Sequence, residues 1–170
     1  MPQSEPTGPD LTGVIADADR AGLPYVVIGG FSVIFHGYVR ATKDSDILVP
    51  DGPGADAAVL RFLDLAEARR FSDDKVLTEN DVNGSDHLRI ICRHGIVDVM
   101  RGGLPPLDFE TVAERAEWID WHGGKVRVAS LPSVVGFKRL AGRGRDREDL
   151  HELEKLYGDL PIEPIPGLDS

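Results

Sequence analysis

Apolar residues fall along this chain in short separate blocks, each with its own period. LTGVIADADR repeats at helical spacing behind a capping Asp10, and Gly22 with Pro24 stops it. PYVVIGG is a β-branched run closed by two glycines and predicts a buried strand, with a short helix over FSVIFHGY. SDILVP predicts a second strand, closed by Pro50. From Gly54 to about Arg70 the spacing predicts one amphipathic helix, with Ala58, Leu60, Leu63 and Leu65 toward the core. Residues 79–86 (ENDVNGSD) read as a polar turn, and HLRIICRHGIVDVM as a hairpin turning near Arg93-His94-Gly95.

A second hairpin, AEWIDW and KVRVAS around His122-Gly123-Gly124, leads into a helix that opens at Pro132 and ends at Gly142. Trp118 and Trp121, three apart on one strand, face opposite sides, so at least one is expected to be exposed. A basic break at 143–145 precedes the helix REDLHELEKLYG, stopped by Gly158. PIEPIPGLDS cannot continue that helix. Strand–helix–strand, then hairpins, then helices predicts an α+β fold: a mixed β-sheet flanked by helices, with further helices at the C-terminus. The expected organisation is one domain over 1–160 and a flexible tail over 161–170.

Composition changes this picture little. With 170 residues and 41% apolar content the chain can bury a core without disulfides. Its one cysteine, Cys92 in LRIIC, reads as a buried thiol, which fits a cytoplasmic setting. The polar opening MPQSEPTGPD lacks a signal-peptide pattern and no apolar run approaches membrane-spanning length, so no membrane partner is expected. Charge is more informative. The net −10 excludes a surface that is basic throughout, yet residues 125–147 hold seven basic side chains against one acid, Asp146. That segment is a candidate contact for something anionic, or a solvated helix face.

The candidate chemistry lies in GGFSVIFHGYVRATKDSDILV. Asp44 and Asp46 are two apart on a strand, so both carboxylates share one face while Ser45 and Ile47 turn the other way. Like charges at the edge of a core are costly unless a cation sits among them, and carboxylate oxygens suit Mg²⁺. Asp98, the one charged residue of GIVDVM, is the candidate third acid. Gly29-Gly30, between strand and helix, admits phosphate close to the backbone. Arg40 is placed to cross toward a phosphate or to pair with Asp44 or Asp46, whereas His36 reads as structural. His87, His94, His122 and His151 have no metal-ligand spacing, and no GxSxG, Cys/His pair or Walker-type loop occurs.

The pattern apolar-Gly-Gly, spacer, Asp-x-Asp-apolar resembles the signature of the DNA polymerase β-like nucleotidyltransferase superfamily. IGGFSVIFHGYVRATKDSDILV is especially similar to small bacterial members, including the toxin-type enzymes of abortive-infection and toxin–antitoxin systems. VASLPSVVGFKRLAGRGRDREDLHEL is similar to the C-terminal helices of these members, so the resemblance spans about residues 24–157. It implies that Gly29 and Gly30 hold the triphosphate, with Ser32 as a hydroxyl donor where the family often has Ser directly after the first Gly. It implies that Asp44 and Asp46 bind metal, that Asp98 helps bind metal and activates the attacking hydroxyl, and that Lys138 and Arg143 contact the nucleotide phosphates.

The resulting expectation is a Mg²⁺-dependent enzyme, with two ions and Mn²⁺ as an alternative, that moves an NMP group from an NTP to an acceptor hydroxyl. RNA such as tRNA, met through segment 125–147, or protein would be the acceptor of a toxin-type enzyme, with an antitoxin as partner. The alternatives are a small-molecule (antibiotic) adenylyltransferase and a nucleotide- or partner-binding module of the same fold with little turnover.

Overall fold

The computed structural model describes residues 8–169; the opening MPQSEPT, read above as lacking a signal pattern, lies outside the described residues, as does Ser170. The helices are α1 (Leu11–Ala21), α2 (Gly29–Phe35), α3 (Pro53–Leu65), α4 (Glu79–Val82), α5 (Phe109–Arg115), α6 (Leu131–Ala141) and α7 (Gly144–Tyr157). The strands are β1 (Val26–Ile28), β2 (Asp44–Val49), β3 (Arg69–Arg70), β4 (His87–Cys92), β5 (Gly95–Arg101), β6 (Glu117–Trp121) and β7 (Gly124–Val128). They form one seven-stranded mixed sheet in the order β3-β4-β5-β2-β1-β7-β6. β2 runs parallel to β5 and β1 parallel to β7, while the other pairings are antiparallel. The expected α+β fold is therefore the observed one.

Each central strand is apolar on both faces because helices cover both. One core joins Val27, Ile47, Val49, Val97, Val99 and Ile90 to α1 and α3, through Val14, Ala18, Val59 and Phe62. The other joins Val26, Ile28 and Leu48 to Phe109 and Val112 of α5, Val134 of α6 and Leu153 of α7. Two to three β-branched residues in each central strand suit these covered pleats. Asp10 caps α1 by accepting from the Gly13 N–H at 3.1 Å, and Gly22 ends it in the left-handed region. Asp17, fully buried on α1, accepts from Arg93 at 2.8 Å and His94 at 2.6 Å, which ties this helix to the β4–β5 turn.

Several sequence expectations need correction. The helix predicted to Arg70 stops at Leu65, and Arg69–Arg70 instead pair with β4 as an edge strand. Val59 and Phe62 take the core positions expected of Leu60 and Leu65, which are partly buried and 37% exposed respectively. Residues 79–82 of the expected turn form the single-turn helix α4, held by a capping box between Thr78 and Asp81. Helix α5, with Asp108 accepting from the Thr111 N–H at its start, was not anticipated. Cys92 is partly rather than fully buried. Trp118 is exposed beneath Arg127, while Trp121 packs edge-on against Phe35. Past α7 the chain lies along α6, with Ile165 buried and Glu163 paired to Arg115. No helix among the described residues is long and apolar enough to cross a membrane.

Candidate active site

The alternation of β2 places Asp44, Asp46 and Leu48 on the α5–α7 face and Ser45, Ile47 and Val49 on the α1–α3 face. In β5 the same alternation puts Asp98 on the α5–α7 face, between the buried Val97 and Val99. The parallel register sets Asp46 directly beside Asp98. Carboxylate oxygens of Asp44, Asp46 and Asp98 consequently lie within 4.8 Å of one another. Gly29 approaches from β1, where Ile28 pairs with Asp46. Its φ of +66° suits glycine, and an added Cβ would stand 2.1 Å from Asp46 Oδ2. At Gly30 a Cβ would stand 2.6 Å from Thr42 Oγ1. The glycine pair thus lets the end of β1 lie against the carboxylates. Gly29→Ala is expected to displace the Asp46 side chain and to lower the thermal midpoint, which a melting curve measures.

These groups line one cleft of about 240 Å³, whose opposite wall is the face of α6 formed by Val134, Phe137 and Ala141. Every residue singled out from the sequence borders it: Gly29, Gly30, Ser32, Arg40, Asp44, Asp46, Asp98, Lys138 and Arg143. Ser32 Oγ donates to the Gly29 carbonyl at 2.6 Å. Arg40 does not pair with Asp44 or Asp46. Its guanidinium is bidentate on Asp149 of α7, at 2.7 and 2.8 Å. Lys138 is buried and pairs with Asp149 at 2.9 Å and Asp146 at 3.1 Å. Arg143 reaches Asp146 at 2.7 Å, and burial notwithstanding, it and Lys138 hold that carboxyl below the usual range. Among the described residues the cleft's one cation outside an ion pair is Arg145.

The basic segment 125–147 is thereby dispersed. Arg127 donates to the Ala113 carbonyl, Arg139 pairs with Asp169, and Lys138 and Arg143 turn into the cleft. His36 is structural: its Nε2 lies 2.7 Å from the Ala129 carbonyl.

Two side chains in contact with Asp98 were missed. Arg89, cross-strand from Asp98, donates to Asp98 Oδ2 at 2.6 Å and to Asp44 Oδ2 at 3.3 Å. His87 Nε2 lies 2.8 Å from Asp98 Oδ1. Arg89 also stacks over Phe71, 4.7 Å from the ring centre. The signal was present in the antiparallel hairpin, where Cys92 faces Gly95 and so Arg89 must face Asp98.

Burial pushes Asp46 up to about 7, reinforced by the Asp44 and Asp98 charges and a hydrogen bond with Asp98, and opposed by Lys138. This excess of negative charge among hard oxygen donors fits a divalent cation such as Mg²⁺. The sign of the pH effect follows. A carboxyl whose folded value lies above its unfolded one binds protons more tightly when folded, so it contributes less stability as pH rises through the window. The metal-free protein is therefore expected to lose thermal stability between about pH 4 and pH 7, the interval in which the unfolded chain has released the Asp46 proton and the folded chain still holds it. Stabilisation by added Mg²⁺ is expected to be larger at pH 8 than at pH 6, because the ion binds the carboxylate form. Melting curves at both pH values with and without Mg²⁺ check this.

No protein-family model matches the chain, and no curated protein matches it. Solved structures do. The solution structure of the antibiotic-resistance factor ANT(2'')-Ia superposes with a TM-score of 0.62 at 13% identity, over 87% of this chain and 82% of that one. The lincomycin-bound lincosamide antibiotic adenylyltransferase LnuA gives 0.58 at 13% identity, over 88% and 99%. An antigenic nucleotidyltransferase-like protein from Paracoccidioides brasiliensis gives 0.55 at 16% identity, over 85% and 74%. At such identities the likeness is one of architecture. The mixed sheet and its flanking helices have the nucleotidyltransferase fold.

Proposed function

We propose that this chain is a divalent-metal-dependent nucleotidyltransferase that transfers an NMP group from an NTP to an acceptor hydroxyl and releases pyrophosphate. The observation that carries this reading is the convergence of Asp44, Asp46 and Asp98 within 4.8 Å, beside the Gly29–Gly30 turn, in a chain of that fold. Carboxylates of this cluster, Asp44 and Asp46 on one strand first among them, are the donors that would hold an ion, which neutralises phosphate charge and orients the reacting phosphoryl group when bound.

Charge explains why such a cation is needed. The cleft is lined by five cations (Arg40, Arg89, Lys138, Arg143, Arg145) and four acids, with Asp149 as a fifth acid behind them. A cleft so nearly neutral does not by itself attract a triphosphate. The glycine turn admits the phosphates without Cβ hindrance, and Arg143 and Arg145 stand at the mouth to meet them. Val134, Phe137 and Ala141 give the nucleobase an apolar wall. Asp98 accepts the proton of the incoming hydroxyl, and catalysis rests on positioning and charge.

The finer reading is a toxin-type enzyme acting on RNA such as tRNA under control of an antitoxin, and it rests on the motif resemblance. The rival acceptor is a small molecule, as in ANT(2'')-Ia, whose complex with adenylyl-2''-tobramycin is known. Incubation with α-labelled NTP, Mg²⁺ and, in parallel, bacterial RNA, a protein extract, an aminoglycoside or a lincosamide distinguishes these. Label in one acceptor class, abolished by EDTA and by Asp44→Asn, supports the reading and names the class. Equal labelling by wild type and Asp44→Asn contradicts it.

A further inference from the structure

Asp98 differs from its two neighbours in what already touches it. His87 occupies Oδ1 at 2.8 Å and Arg89 occupies Oδ2 at 2.6 Å, so both oxygens carry a protein donor. Neither contact is incidental to the fold. The β4–β5 register sets Arg89 directly across from Asp98, and His87, two residues earlier on β4, projects from the same face. Arg89 is further seated on Phe71, and it bridges to Asp44 Oδ2 at the longer distance of 3.3 Å. Asp46, by contrast, accepts from no arginine or histidine among the described residues.

We propose that Arg89 and His87 are positioning residues that hold Asp98 toward the acceptor and withhold it from the metal, leaving Asp44 and Asp46 as the ion-binding pair. The inference rests on the transfer reading and narrows it. The guanidinium between Asp44 and Asp98 supplies, as a fixed part of the chain, the positive charge that a second resident ion would supply in a site with three open carboxylates. An Asp98 anchored through both oxygens keeps one orientation, as a group receiving a proton from an incoming hydroxyl requires. His87 and Arg89 are each about 40% exposed at the side chain (44% and 39%), so they can be exchanged without opening the core.

Mn²⁺ counted by electron paramagnetic resonance on the full chain without nucleotide tests the proposal independently of turnover. Wild type is expected to bind one Mn²⁺ tightly. Asp98→Asn should keep that affinity within about threefold, while Asp44→Asn or Asp46→Asn should weaken it roughly tenfold or more. Arg89→Met should add a second Mn²⁺ that is lost again in the Arg89→Met/Asp98→Asn double variant, and Arg89→Lys should restore a single ion. Two tight ions in wild type, no tight ion, or equal losses for Asp98→Asn and Asp44→Asn would overturn it. One ion with the expected variant pattern, but no labelling of any acceptor from NTP, would leave this assignment standing and remove the transfer reading instead.

Discussion

Asp46→Asn is expected to reduce nucleotidyl transfer by at least about 10²–10³-fold while raising the thermal midpoint of the metal-free protein at pH 8. Both effects have one source. Asp46 is the carboxyl that burial and its neighbours Asp44 and Asp98 push up to about 7, so at pH 8 the folded chain carries an ionised group in a place that resists ionisation. Asparagine keeps the shape and removes the charge. It also removes the oxygen donor on which the ion depends, and transfer is lost without loss of fold. Parallel melting and labelling assays measure the two. A variant that is inactive because it is unfolded would show a lower midpoint, the opposite sign.

Asp149→Ala is expected to be the most damaging single change to stability among the cleft residues, at about 3–5 kcal/mol in chemical denaturation. Asp149 is 1% exposed at the side chain and meets both Arg40 and Lys138, which are themselves 12% and 7% exposed. Its removal strands the buried Lys138 and the partly buried Arg40, and of these two only Lys138 also meets Asp146. The strain falls on the segment 38–43, which Arg40 ties to α7, and this segment leads directly into Asp44. NTP affinity is therefore expected to fall along with stability. The same substitution at Glu148, an exposed neighbour on α7, should move neither.

Much of the site was legible before the structure because it is carried by local periodicity. The two-residue spacing of Asp44 and Asp46 dictates a shared face, and the isolated Asp98 in GIVDVM marks a strand position that an apolar environment does not explain. What periodicity cannot supply is which strands lie side by side. Strand order β5-β2-β1, and with it the contact of Asp46 with Asp98, depends on long-range packing. The hairpin around residues 93–94 was legible, however, and a strict antiparallel count from it pairs Arg89 with Asp98.

The partners of the basic segment were hidden for a related reason. Charges counted along the sequence do not reveal partners brought from elsewhere, and Asp146, Asp149 and Asp169 take up three of the seven cations. Helix α3 ended early because Arg69 and Arg70 gain ladder bonds to β4, a tertiary contact that outweighs the helical propensity of EARR.

The central claim concerns which bond in the nucleotide is broken, and paired labelling addresses it directly. Wild-type protein is incubated with Mg²⁺, whichever acceptor class takes label in the parallel incubations, and NTP labelled either at the α- or at the γ-phosphate. The account predicts α-label in the acceptor and γ-label in free pyrophosphate, in equal amounts and only with Mg²⁺ present. γ-Label in the acceptor, or its release as inorganic phosphate with no α-label transferred, would contradict it.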